Sequence, residues 1–153
     1  MEPGANTAGK ALLAMLQGLD ALGHPRPNRI EVRIRKGIPL GSGMGGSAAS
    51  AVAAVTALNA LLHDPLPTTS LYPWAMAGEA VASGAPHGDN VGPQLLGGLV
   101  LALPDRLLRI PLPPGLNAAL VHPHQRLETR RSREVLAAPH ALETVVEQSG
   151  HLA

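Results

Sequence analysis

The chain has 153 residues and a formal net charge of +1, because 12 basic side chains nearly balance 11 acidic ones. This length allows one domain, or one domain with part of another. The near-neutral charge argues against binding of nucleic-acid backbones by bulk charge, and an aromatic content of 1% argues against base stacking. The absence of cysteine excludes disulfide frameworks and thiolate metal sites.

The first residues show no basic stretch followed by an apolar block, so the sequence predicts no signal peptide. The longest uncharged run covers residues 37–63, but its unbroken helical part is shorter than the roughly 20 residues that a membrane span requires. We therefore expect a soluble, cytoplasmic protein that has neither a membrane partner nor a nucleic-acid partner.

Hydrophobic spacing predicts helices and strands that are interleaved along the chain. Residues 6–22 place their apolar side chains on one helical face, and residues 29–36 alternate apolar and charged side chains like a strand with one wet face. Ser70 is expected to cap a third helix. The pattern indicates an α+β fold with a mixed or antiparallel sheet packed with helices. Further helices are predicted at residues 48–62, 70–83, 128–137 and 141–148, and further strands at 99–103, 107–110 and 118–121.

A glycine-rich loop, residues 37–47, separates the charged strand from an alanine-rich helix. Its glycines let backbone N–H groups turn toward one point, and the helix N-terminus adds partial positive charge, so the loop predicts a phosphate site with Ser47 as the helix cap. Gly41, Gly43 and Gly46 also satisfy the G-x-G-x-x-G pattern of dinucleotide-binding modules. A buried first strand and an acidic residue after a second strand, which that module needs, are not evident. A flexible turn without a ligand is the third interpretation.

Glu79 is the only charged side chain between Asp64 and Asp89, and it lies among small residues in the predicted helix 70–83. It belongs either to a solvated helix face or to a packed one, where a carboxylate is costly unless it is paired or bound to a metal. Mg²⁺ prefers few carboxylates together with phosphate oxygens, and Glu79 with the hydroxyl of Ser47 would suit that preference.

Two further segments carry polar side chains. Residues 87–93 read His-Gly-Asp-Asn-Val-Gly-Pro, and taken alone they predict a polar turn in which Asp and Asn make local hydrogen bonds. Residues 127–136 predict a solvated basic helix face, because Glu128 and Glu134 balance its arginines. Thr129 and Arg133 are four residues apart on that face.

Residues 38–50 resemble the ATP-binding motif of the GHMP kinases, in which a proline precedes Gly-Leu-Gly-Ser-Ser-Ala between a strand and a helix. Met44 replaces the usual leucine of that motif, and Gly46 replaces its first serine. Residues 87–98 resemble the His-x-Asp-Asn-Val-Ala-Pro-x-x-x-Gly-Gly signature of the homoserine kinase branch. Residues 128–133 resemble the Ser-Thr-x-x-x-Arg stretch of the family, with Glu128 in place of the serine.

The resemblance implies a site for ATP, Mg²⁺ and an amino acid. Ser47 and Glu79 would hold Mg²⁺, and Thr129 would lie near the reacting hydroxyl as the third catalytic residue. Arg133 would bind the substrate carboxylate at two points. The other substrate-binding residues would be His87, Asp89 and Asn90. The ATP-binding residues would be Pro39, Leu40, Gly41, Ser42, Gly43, Met44, Gly45, Gly46, Ser47 and Ala48.

The activity that the resemblance implies is transfer of the γ-phosphoryl group of ATP to the hydroxyl of L-homoserine, which gives O-phospho-L-homoserine in threonine biosynthesis. No dedicated general base is evident, and such a reaction depends mainly on positioning and charge neutralisation. A homodimer is compatible with this interpretation. The alternatives are a GHMP kinase for another alcohol such as mevalonate, a dinucleotide-binding module, and a remnant that folds only with a partner chain.

The resemblance covers residues 6–136 and implies the GHMP fold, an α+β ATP-binding domain packed on a C-terminal α+β domain. It predicts that residues 1–125 form a partial N-terminal ATP-binding domain and that residues 126–153 begin a truncated C-terminal domain. We expect the family's N-terminal strands and most of its C-terminal domain to lie outside this chain, which leaves the activity of the chain by itself open.

Overall fold

The computed structural model describes residues 2–121 and 139–151. Within these ranges the chain forms α-helices and one β-hairpin, which confirms the expected α+β class. Short 3₁₀ turns at Pro3–Ala5 and Thr68–Leu71 precede two of the helices. In chain order the elements are α1 (Thr7–Ala21), α2 (Gly46–Ala60), α3 (Tyr72–Ser83), α4 (Gly88–Leu96), β1 (Leu99–Ala102), β2 (Leu107–Ile110) and α5 (Leu142–Gly150).

The first helix begins one residue after the start of the predicted range, and Asn6 is its N-cap. The side-chain oxygen of Asn6 accepts a hydrogen bond of 2.8 Å from the N–H of Gly9, which satisfies one of the free donors of the first turn. Leu12, Met15 and Leu19 are buried on one face of α1, as their helical spacing predicts. Hydrophobic periodicity therefore located both the helix and the face that it buries.

Helices α1, α2 and α3 pack on one another and form the core. Small side chains let them approach closely, and at Gly78 of α3 an added methyl group would lie 2.8 Å from the Cβ of Ala11 and 2.9 Å from the Cβ of Ala51. Glycine is thus required where the three helices meet. The buried apolar side chains are Ala8, Ala11, Leu12, Met15, Leu19, Ala48, Ala51, Val52, Ala54, Val55, Leu58, Leu62, Leu71, Tyr72, Ala75 and Val91.

The hairpin positions α4. Strands β1 and β2 pair antiparallel, with Leu99 opposite Ile110. Helix α4 lies against them through Gly92, where an added Cβ would lie 2.9 Å from a leucine methyl group of β2. The guanidinium of Arg109 donates to the carbonyl of Leu96 at the end of α4, where a cation also interacts favourably with the helix dipole. Contacts along its length and at its C-terminus therefore hold this helix.

Two predicted strands are wrong. Residues 29–36 alternate as expected, yet they form no strand, and Val32 and Ile34 remain 49% and 47% exposed. Residues 118–121 are also not a strand. A strand depends on hydrogen bonds to a neighbouring strand, and the two-stranded hairpin is the only sheet in the part of the chain that the structure describes. The expected mixed or antiparallel sheet is therefore an antiparallel pair here.

The predicted helices within the described residues are present, but the starts of two of them were predicted wrongly. Helix α2 begins at Gly46 rather than at residue 48, and α3 begins at Tyr72 with Leu71 at its N-cap, so the predicted cap at Ser70 is wrong. The predicted helix 141–148 is confirmed as α5. The predicted helix 128–137 lies outside the described residues. No helix within residues 2–121 and 139–151 has both the length and the apolar character that crossing a bilayer requires.

Candidate functional site

The glycine-rich loop leads directly into α2. Gly41, Gly43 and Gly45 have φ angles of 69°, 72° and 67°, in the left-handed region that side chains other than glycine rarely adopt. Gly45 is the N-cap of α2, so the prediction that Ser47 caps this helix is wrong. Ser47 lies in the first helical turn instead, where backbone N–H groups have no partner within the helix. The loop and this turn together present donors suited to an anion.

The two sides of the loop differ in the space that they leave. At Gly43 no atom of the described residues lies within 4 Å of an added Cβ, so this side is open to a ligand. At Gly45 an added Cβ would lie 2.8 Å from both Oδ1 of Asn90 and Nε2 of Gln94. Helix α4 therefore closes one side of the loop and leaves the other side accessible.

Three further residues expected to bind ATP lie at the two ends of this loop. Pro39 and Leu40 are exposed in its first part, and Ala48 is buried directly after it in the first turn of α2. A cavity of about 460 Å³ adjoins Gly46 and is lined by residues 32–38 and by the alanine row of α2 that includes Ala53 and Ala57. Its mostly apolar walls could accept the face of a nucleotide base whose phosphates lie at the loop.

Glu79 lies on the packed side of α3 and not on a solvated helix face. Its side chain is only 7% exposed. Its neighbour Gly78 packs against Ala51, which lies one turn after Ser47 on α2, so α3 runs beside the first turns of α2. Of the two positions that the sequence left open, the packed one is therefore correct for this carboxylate.

The donors of this region fit Mg²⁺ held mainly through a nucleotide. Ser47 offers a hydroxyl oxygen and Glu79 a carboxylate, both hard oxygen ligands of the kind that Mg²⁺ prefers. No group of three or more metal-ligating side chains occurs among residues 2–121 and 139–151. A cation here would therefore take most of its ligands from phosphate oxygens and water, as Mg²⁺ does in phosphoryl-transfer sites.

The segment that begins at His87 is a helix start and not a turn. His87 is the N-cap of α4 in extended conformation, and Asp89 lies in its first turn, where a carboxylate is favourable to the helix dipole. Pro93 lies inside the helix. The sequence predicted a turn because Asp and Asn favour local hydrogen bonds in turns, and proline and glycine within the segment also disfavour a helix. The packing of α4 on the hairpin outweighs these local preferences.

An open groove of about 700 Å³ lies between the starts of α3 and α4 and the end of β1, and both His87 and Asp89 line it. Tyr72 forms part of its wall, with a hydroxyl that donates a 3.1 Å hydrogen bond to the carbonyl of Leu103. Burial, and then the negative charge of Asp89, raise the pKa of Tyr72. Its hydroxyl is therefore a protonated donor at neutral pH. A methyl group at Gly88 would overlap this hydroxyl.

Helix α4 thus lies between the groove and the glycine loop and contributes residues to both. His87 and Asp89 line the groove, whereas Asn90 and Gln94 contact the glycine loop. The structure brings the two sequence motifs together even though about 40 residues separate them in the chain. The sequence patterns identified neither Tyr72 nor Gln94, and apart from Tyr72 being the sole tyrosine no local signal marks either of them.

The third predicted segment lies outside the described residues. Thr129 and Arg133 lie outside the described residues, as do Glu128 and Glu134 beside them. Their expected contacts with the reacting hydroxyl and the substrate carboxylate therefore stay predictions.

Comparison with known proteins identifies relatives of this arrangement. The family described as GHMP kinases N terminal domain matches residues 6–98. A protein of Xylella fastidiosa named homoserine kinase is 56% identical over 148 residues, and one of Xanthomonas campestris with the same name is 52% identical over 153 residues. A crystal structure of homoserine kinase from Cytophaga hutchinsonii superimposes with a TM-score of 0.84 at 38% sequence identity.

These matches cover nearly all of this chain and less than half of each relative. They span 97% of the chain and 44% of the Xylella protein, and 100% of the chain and 46% of the Xanthomonas protein. The match to the Cytophaga structure covers 99% of this chain and 47% of that one. The chain therefore spans a little under half the length of the curated relatives that it matches.

Proposed function

The chain belongs to the GHMP kinase family through its N-terminal domain, and from this premise we propose that it is the nucleotide-binding part of a homoserine kinase. The reaction is transfer of the γ-phosphoryl group of ATP to the hydroxyl of L-homoserine. The observation that carries the proposal is that α4 joins the glycine loop to the groove of His87 and Asp89. The names of the relatives support homoserine as the acceptor.

In this proposal the loop binds the phosphates of ATP. The N–H groups of residues 43–47 supply the donors, and the dipole of α2 adds partial positive charge at the same point. Ser47 and Glu79 hold Mg²⁺, which when bound neutralises charge on the transferring phosphoryl group. The burial of Glu79 and the packing of its neighbour Gly78 against Ala51 of α2 support this role.

The groove accepts the amino acid. The carboxylate of Asp89 suits the α-ammonium group of homoserine, since a charge-assisted hydrogen bond is stronger than a neutral one. His87 lines the same groove, and Asn90 lies between the groove and the loop, so an acceptor hydroxyl between them would face the phosphates. Holding two reactants in this way supplies much of the catalysis of phosphoryl transfer. Arg133 and Thr129 would complete the site from the following segment.

The two alternative functions have less support. A dinucleotide-binding module needs a buried parallel strand before its glycine loop, and the structure has no strand between α1 and α2. A mevalonate-type kinase lacks a specific observation in its favour, because the relatives named above are homoserine kinases.

We also propose that residues 1–125 are the partial ATP-binding domain and that residues 126–153 begin the next domain. A role in threonine biosynthesis and a cytoplasmic location belong to the same proposal.

The test places this chain in the context of a whole enzyme. Residues 1–153 replace the matching part of the Xylella homoserine kinase, and ADP release is measured with ATP, Mg²⁺ and either homoserine or mevalonate. We expect turnover with homoserine only. A folded chimera that prefers mevalonate, or that binds MgATP in calorimetry without using homoserine, would contradict the acceptor. Binding of NADH by the isolated chain, followed by nicotinamide fluorescence, would favour the dinucleotide alternative.

A further inference from the structure

Gln94 makes a long-range contact with the glycine loop. Its side-chain Nε2 donates a 3.1 Å hydrogen bond to the carbonyl of Gly45. That carbonyl also accepts the first helical hydrogen bond of α2, from the N–H of Ala49 at 2.9 Å. A single carbonyl group thus connects the end of the loop, the start of α2 and the last turn of α4.

A second residue of α4 supports the same contact. Asn90 lies one turn before Gln94 on the same helical face. Its Oδ1 and the Nε2 of Gln94 both approach the Cα of Gly45 so closely that an added Cβ would lie 2.8 Å from each. The loop is therefore held at Gly45 from one side, while its other side at Gly43 is open.

Helix α4 is a firm support for this contact. Val91 is fully buried, Gly92 packs against the hairpin, and the guanidinium of Arg109 binds the carbonyl of Leu96. The loop itself has three glycines at positive φ, which gives the unliganded backbone unusual freedom. A flexible loop loses conformational entropy when a ligand orders it, and a contact that orders it beforehand reduces that loss.

We infer that Gln94 is a positioning residue that fixes the glycine loop on α4 in the conformation that receives the phosphates. Gln94 does not touch the nucleotide in this inference; it acts through the carbonyl of Gly45 and so through the N–H groups that follow it. The nucleotide part rests on the proposed function, whereas the ordering of the loop by α4 does not.

The test compares Gln94→Met with Gln17→Met in the full chain. Methionine keeps the length of the side chain and removes the donor, and Gln17 is an exposed glutamine on α1 that serves as the matched control. Hydrogen exchange of residues 41–48 is measured first without any nucleotide. We expect exchange in the Gln94 variant to be about twofold to tenfold faster, the range that loss of one ordinary hydrogen bond predicts. The control should exchange like the parent chain.

The second measurement is MgATP affinity by calorimetry, with the melting temperature beside it. We expect the affinity of the Gln94 variant to fall by a similar factor while the melting temperature stays that of the control. Unchanged exchange in residues 41–48 would overturn the inference, and so would a loss of affinity that only follows a loss of melting temperature. If the parent chain does not bind MgATP but the exchange still accelerates, the proposed function fails and the ordering of the loop by Gln94 stands.

Discussion

Replacement of Gly43 by alanine separates the conformational cost of the loop from its role in binding. Gly43 has φ 72°, and no described atom lies within 4 Å of the added methyl group, so the substitution creates strain without a clash. Gly23, which follows α1, offers the same conditions with φ 65° and an equally open surrounding. Gly23→Ala is therefore a control that matches the backbone cost at a position outside the loop.

The expected magnitudes follow from these conditions. The left-handed conformation costs alanine about 1–2 kcal/mol, and the lower entropy of the unfolded chain offsets about 0.4–1 kcal/mol of that cost. Both variants should therefore lose about 1 kcal/mol of the free energy of unfolding. The methyl group of Gly43→Ala also enters the side of the loop that is open to a ligand, where it keeps a phosphate from one of the N–H donors. Loss of a hydrogen bond to a charged group is worth about 1.5–3 kcal/mol, or roughly a tenfold to hundredfold loss of affinity.

Urea denaturation measures the stability of the two variants, and calorimetry measures their affinity for MgATP. We expect equal losses of stability and a loss of affinity in Gly43→Ala alone. Normal MgATP binding by Gly43→Ala would refute the assignment of the loop as the phosphate site. Equal losses of affinity in both variants would show that reduced stability, and not loop geometry, limits binding.

Three further predictions concern the packing of α3 and the groove. Gly78→Ala should lower the free energy of unfolding by about 1–3 kcal/mol through overpacking, and an unchanged urea midpoint would show that the three helices do not meet there as described. Glu79→Gln should weaken MgATP binding about tenfold or more while the melting temperature changes little, whereas parallel losses of both would indicate a structural role. The sole tyrosine, Tyr72, should titrate above its ordinary pKa of about 10 in tyrosinate absorbance, and Asp89→Asn should lower that pKa only in part, because burial is the larger cause. Because the pKa of Tyr72 is higher in the folded state than in the unfolded state, the contribution of Tyr72 to stability is complete below about pH 10. That contribution is lost as the pH rises through the folded-state pKa. An unshifted pKa of Tyr72 would contradict its burial.

The short-range features of this protein could be predicted from local patterns. The apolar spacing of residues 6–22 located α1, and the turn residues between residues 103 and 107 located the hairpin. The glycines of residues 41–46 and the motif that begins at His87 indicate the family by their residue types and spacing alone. Each of these signals depends on neighbours within a few residues, such as helical period, turn residues and glycine spacing, and so it can be recognised in the sequence.

The tertiary structure decided what depends on distant neighbours. The segment after His87 is a helix because its packing on the hairpin outweighs the local preferences of Pro93. Residues 29–36 lie outside any sheet because no described strand supplies them with hydrogen bonds. The tertiary structure also buried Glu79 in the packed side of α3 and placed Gln94 in contact with the glycine loop. Burial and contact are set by chain segments far apart in sequence, so the sequence could only predict which residues carry the chemistry, and the packing of α4 decided how the glycine loop and the groove meet.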